Sequence, residues 1–120
     1  RKIIENKLTK DNDTYKIDLV NLEKQFMNGH KVLILCSPHN PVGRIWSYDE
    51  IKDVLELSKK YNVFVIIDEI HSDINITNRK FTSGLDFVDF YDNIAICNAP
   101  SKAFNIAGLH AAYLIIPDVD

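Results

Sequence analysis

Four short apolar runs, Val32–Cys36, Val63–Ile67, Ile94–Cys97 and Ala111–Ile116, punctuate a chain whose intervening stretches place apolar residues every three or four positions. Runs of this length, rich in β-branched residues and closed by Ser37-Pro38 or Pro117, read as strands. Val32–Cys36, apolar throughout, reads as a strand buried on both faces. A helix is expected from an Asp18 N-cap, with Leu19, Leu22 and Phe26 on one face and Gly29 ending it. The run Ser47-Tyr48-Asp49-Glu50 has capping-box spacing, and Ile51, Val54 and Leu55 form the buried stripe of a second helix reaching about Lys60. Residues Lys2 to Glu5 suggest one more short strand, leading into a polar turn from Thr9 to Thr14.

The order is strand, helix, strand, helix, strand, loop, strand, which predicts an α/β fold with a mainly parallel sheet and helices on both faces, a three-layer sandwich. In such sheets ligands collect in the crevice beyond the carboxyl ends of the strands. Asn40, Asp68 and Lys102 each lie just past the end of a predicted strand, so three unlike polar groups are expected to converge on one crevice.

Composition narrows the class. The chain has 120 residues, 46% of them hydrophobic, as expected of a globular domain. Lysine and arginine number 14 against 17 acidic residues, scattered singly and not in a stripe that could follow phosphates, so nucleic acid is not an expected partner. The longest apolar runs fall far short of the roughly 18 residues of a membrane-spanning helix, no signal-peptide pattern opens the chain, and the cytoplasm is the expected compartment. Cys36 and Cys97 lie inside predicted strands and read as inert core thiols, with no metal site expected.

Lys102 stands in Ser101-Lys102-Ala103-Phe104-Asn105-Ile106-Ala107-Gly108-Leu109, Asn40 in His39-Asn40-Pro41-Val42-Gly43-Arg44-Ile45-Trp46, and Asp68 in Asp68-Glu69-Ile70-His71. Together these motifs resemble the pyridoxal-phosphate enzymes of fold type I, the aspartate aminotransferase superfamily, and within it the cystathionine β-lyase-like, carbon–sulfur lyase branch. The resemblance implies pyridoxal 5′-phosphate as cofactor and Lys102 as the catalytic lysine, holding it as a Schiff base and shuttling the substrate α-proton. It implies Asp68 against the pyridine nitrogen, where a carboxylate keeps the ring protonated and electron-accepting. Physically, Asp68 could instead only cap the following turn. The Asn40 amide would donate to the cofactor's phenolate oxygen. His71 stands where many relatives carry a tyrosine to that same oxygen, with a solvent-facing histidine as the plainer alternative. Ser101 would donate to the phosphate, and the Asn40–Pro41 peptide would be cis. Arg44 and Trp46 mark the branch, with a surface arginine and a packed indole as their expected physical roles.

Two positions depart from the wider family, since Ala99 and His110 stand where relatives carry a serine and an arginine that clamp the phosphate. A family enzyme is about three times longer, so residues 1–120 are expected to form the central to C-terminal portion of a large cofactor-binding domain. The small C-terminal domain, the glycine-rich phosphate cradle and the arginine for the substrate carboxylate would then lie outside, leaving the chain by itself inactive. The implied activity is β-elimination from S-substituted cysteines in a homodimer. An aminotransferase sharing the same early steps and an aminotransferase-derived regulatory domain are the alternatives. A nucleotide binder is disfavoured, because the four glycines are not clustered.

Overall fold

The computed structural model describes residues 2–117. A hairpin of β1 (Thr9–Asp11) and β2 (Thr14–Lys16) precedes α1 (Leu19–Met27), β3 (Val32–Cys36), α2 (Tyr48–Tyr61), β4 (Phe64–Asp68), β5 (Ile94–Asn98) and β6 (Tyr113–Ile115). The hairpin occupies the segment expected to be a polar turn, and Lys2–Glu5 forms no strand. Alternation too short to signal a strand is rescued there by the tight turn at Asn12, whose φ of 52° suits asparagine.

Both helices begin where their side chains satisfy exposed amides. Asp18 Oδ1 accepts from the Asn21 N–H at 2.9 Å. Ser47 and Glu50 form the reciprocal capping box, Ser47 Oγ taking the Glu50 N–H at 3.2 Å and Glu50 Oε2 the Ser47 N–H at 2.8 Å. Helix α1 gives way at Asn28 and Gly29, and α2 ends at Asn62 in the left-handed region.

The main sheet has the order β3-β4-β5-β6, parallel across the first three strands and antiparallel at β6. Leu22 and Phe26 of α1, Ile51, Val54 and Leu55 of α2, and Leu35, Val65, Ile67, Ile94 and Ile96 of the strands form a single buried core with Trp46. The α/β class and mainly parallel sheet therefore stand, and the two described helices pack against the same face. On the opposite face the edge strand β3 leaves Ile34 71% exposed, whereas Ala95 of β5 is buried. The expectation that Val32–Cys36 is buried on both faces is thus corrected, since its alternate residues Val32 and Ile34 face outward here. Ala111–Ile116 supplies a strand as expected, but a shorter and exposed one. Among the described residues no helix is long and apolar enough to cross a membrane.

Candidate active site

The register of the parallel strands places Cys36 beside Asp68 and Asp68 beside Cys97, so the three share one row across the carboxyl end of the sheet. Because side chains alternate along a strand, this row faces away from the Val65, Ile67 and Ile96 core. The ladder continues one step further, with the Ser37 N–H donating to Asp68 O and the Glu69 N–H to Cys97 O, both at 2.9 Å. Loops carrying Asn40, His71 and Lys102 therefore leave the same end of three adjacent strands.

Asn40 stands exposed on a loop whose base is closed by a backbone bridge between His39 and Arg44. The His39 N–H donates to Arg44 O at 2.7 Å and the Gly43 N–H to His39 O at 2.8 Å. Gly43, at a φ of 69°, takes a conformation that side chains disfavour. The Asn40–Pro41 peptide is cis, as the motif implied, and so is Ser37–Pro38. Beneath the loop Trp46 is fully buried, its indole N–H donating to Cys36 O at 2.9 Å.

Asp68 is half-buried, and its Oδ1 accepts the Ile70 N–H at 3.1 Å. The turn-capping alternative is therefore real, yet it occupies one carboxylate oxygen and leaves Oδ2 without a hydrogen bond among the described residues. His71 lies half-buried in the turn that follows. That turn is fastened to the end of β5, where Asn98 Nδ2 donates to Ser72 Oγ at 3.1 Å and Asn98 Oδ1 accepts the Ala99 N–H at 2.7 Å. From Asn98 the chain enters a tight loop in which the Phe104 N–H donates to Pro100 O and the Ile106 N–H to Ser101 O, with Asn105 at a φ of 54°. Ser101 is half-buried there and Lys102 is exposed. Phe104 and Leu109, the large apolar residues that follow the lysine in its motif, are 70% and 71% exposed. Ala99 is buried at the loop's start, and His110 is exposed at its far side.

Burial raises both thiols above their ordinary value of 9.0, and the Asp68 charge adds to the rise. For Cys36 the Asn40 backbone amide partly opposes this. Cys36 and Cys97 are thus held neutral beside Asp68, and the expectation of core thiols is corrected, for both are half-buried on the face toward the candidate crevice.

Three features escaped sequence reasoning. Glu69 turns into the core, 4% exposed, where it accepts bonds from Ser83 Oγ at 3.0 Å and the Gly84 N–H at 2.6 Å. The alternation that sends Asp68 to one face sends Glu69 to the other, which was readable; its partners 14 and 15 residues on were not. The Asn98–Ser72 tie is the second. Arg44 is the third, for it is not a surface arginine: its side chain is 14% exposed and engaged on three sides.

An amine on a loop, a carboxylate with one open oxygen and a carboxamide, all at one end of a parallel sheet, suit a group that combines an aldehyde, a ring nitrogen and a phenolic oxygen. The donor set contains no cluster able to hold a metal ion among the described residues.

Comparison with known proteins bears on the same residues. The family described as aminotransferase class I and II matches residues 2–119. Cystathionine β-lyase PatB of Bacillus subtilis strain 168 is 42% identical over 98% of this chain, which spans 31% of that protein's length. Among solved structures, a pyridoxal-phosphate-bound putative aminotransferase from Clostridium difficile 630 superposes with a TM-score of 0.91 at 41% identity, covering 98% of this chain and 31% of that one. Cystalysin from Treponema denticola, which contains pyridoxal 5′-phosphate, gives a TM-score of 0.89 at 37% identity over 98% of this chain and 30% of its own. The chain thus spans about a third of the length of the relatives it matches.

Proposed function

Because this chain belongs to the aminotransferase class I and II family, we propose that it contributes the cofactor-facing end of the sheet to a pyridoxal-phosphate-dependent carbon–sulfur β-lyase acting on S-substituted cysteines. The observation that carries the reading is the common sheet end at which Asp68 closes β4 while Asn40 and Lys102 sit in the loops beyond β3 and β5. In this reading residues 1–120 are the central to C-terminal part of the large domain. The small domain, the phosphate cradle and the arginine for the substrate carboxylate come from elsewhere in the whole protein.

When bound, pyridoxal phosphate supplies an aldehyde that captures amines and a ring that accepts the electrons left at a substrate's α-carbon. Lys102 Nζ would hold the cofactor and, when free of it, would take the substrate's α-proton. Asp68, through Oδ2, holds a proton on the ring nitrogen, because opposite charges stabilise each other's ionised forms. Its bond from the Ile70 N–H fixes the carboxylate for this task. The Asn40 amide would donate to the phenolic oxygen, His71 would serve the same oxygen, and Ser101 would donate to the phosphate. The flanking thiols, neutral beside Asp68, add no competing negative charge. Overall, an S-substituted cysteine and water become a thiol, pyruvate and ammonia. Family resemblance extends the proposal to a dimeric, cytoplasmic whole protein.

An aminotransferase remains the second reading, favoured by the resemblance to the putative aminotransferase structure. The two differ in their need for an acceptor. The full-length protein given cystathionine without any 2-oxo acid should release pyruvate and ammonia continuously. Turnover that depends strictly on an added 2-oxo acid would transfer the assignment to the aminotransferase.

A further inference from the structure

The loop presenting Asn40 is four residues long at its tip and exposed, so its base bears directly on where the amide stands. That base is the His39–Arg44 bridge, in which Arg44 contributes backbone to the loop and side chain to everything around it. Its Nε–H donates to Tyr15 O of the hairpin at 2.8 Å. Its Nη2 pairs with Glu50, the residue that closes the capping box of α2. Its guanidinium lies 4.7 Å from the centre of the Trp46 ring. The indole in turn meets the edge of His39, with centroids 5.8 Å apart, and bonds to Cys36 O, the residue beside Asp68.

We propose that Arg44 is a positioning residue for Asn40: it ties hairpin, helix cap and indole to the base of the 39–44 loop and so fixes the carboxamide relative to Asp68. This rests on the reading that Asn40 serves a bound pyridoxal phosphate. Planarity and a fork of donors allow one side chain to make these contacts together, which a lysine's single ammonium cannot reproduce. Half-burial makes the arrangement stiffer than an exposed ion pair, whose charges would be screened and whose side chains would wander.

The test reads the bound cofactor and not turnover. A donor at the phenolic oxygen favours the charged form of that oxygen, so it lowers the pH at which the cofactor's visible band titrates. In the whole, cofactor-loaded protein, Asn40→Ala should raise the midpoint by about one pH unit, the worth of one hydrogen bond. Arg44→Lys and Arg44→Ala should move it in the same direction by a part of that shift, Arg44→Lys the less. In an Asn40→Ala background neither should add to it, because the amide they position is gone. Should Arg44→Ala fail to fold, Arg44→Lys and Glu50→Gln carry the comparison. A loaded Arg44→Lys protein that titrates like wild type, or shifts that add in full to that of Asn40→Ala, would overturn this inference alone. A wild-type protein that takes up no pyridoxal phosphate would instead overturn the reading beneath it.

Discussion

Asp68 and Glu69 are consecutive carboxylates sent to opposite faces of one strand, and their surroundings give them different work. Asp68 keeps an oxygen open toward the crevice, whereas Glu69 is sealed between the sheet and the 3-10 turn Gly84–Phe87. A methyl group added at Gly84 would stand 2.6 Å from Ile67 Cδ1, so that turn presses directly on the core and the Glu69 bonds hold it there. Burial raises the Glu69 carboxyl above its ordinary 4.5, partly opposed by the Gly84 amide and the Ser83 hydroxyl, with Asp86 adding to the rise. Below 4.5 both folded and unfolded states are protonated. As pH rises, the unfolded state releases its proton first, so this contribution to stability is lost until the folded carboxyl also ionises. Wild type should therefore lose stability relative to Glu69→Gln as pH rises above 4.5, by denaturant unfolding of the whole protein at each pH. An unchanged difference between the two proteins would contradict the assignment. Glu69→Ala, which strands the Gly84 N–H, should cost about 2 kcal/mol.

Secondary elements were legible in proportion to how locally they are determined. The Asp18 cap and the Ser47–Glu50 box are written within four residues each, and both helices start there. The apolar runs announced β3, β4 and β5 to within a residue or two. Direction and cover are non-local, so the antiparallel course of β6 and the open side of β3 could not be read from their own letters. The hairpin was missed because three-residue strands with every residue exposed carry no hydrophobic pattern. Arg44 was missed for a related reason: its partners Tyr15 and Glu50 flank it at separations that no helical or strand period connects. Helix α2 depends on its cap at the same place. Ser47→Ala should cost about 1 kcal/mol and loosen the first turn of α2, read as faster amide exchange at Glu50 and Ile51. Unaltered exchange at those amides would show that Glu50 and its neighbours hold the helix start without the serine.

At the level of the molecule, three parallel strands with matched ends bring the candidate site residues together. Their common register turns residues 40, 68 and 102, far apart in sequence, into tenants of one sheet end, and this much was available from the strand pattern before any resemblance was invoked. The fastening of that end by Asn98–Ser72 and by Arg44 was not, since it consists of single side-chain contacts between loops. The exposed outer side of β3 belongs to a chain that spans about a third of its relatives' length. The central claim is that this sheet end seats pyridoxal phosphate on one lysine. Borohydride reduction of the full-length, cofactor-loaded protein, followed by peptide mass spectrometry, tests it most directly. The account predicts a single pyridoxyl adduct, on Lys102; an adduct on Lys59, on Lys60 or on no lysine would contradict it.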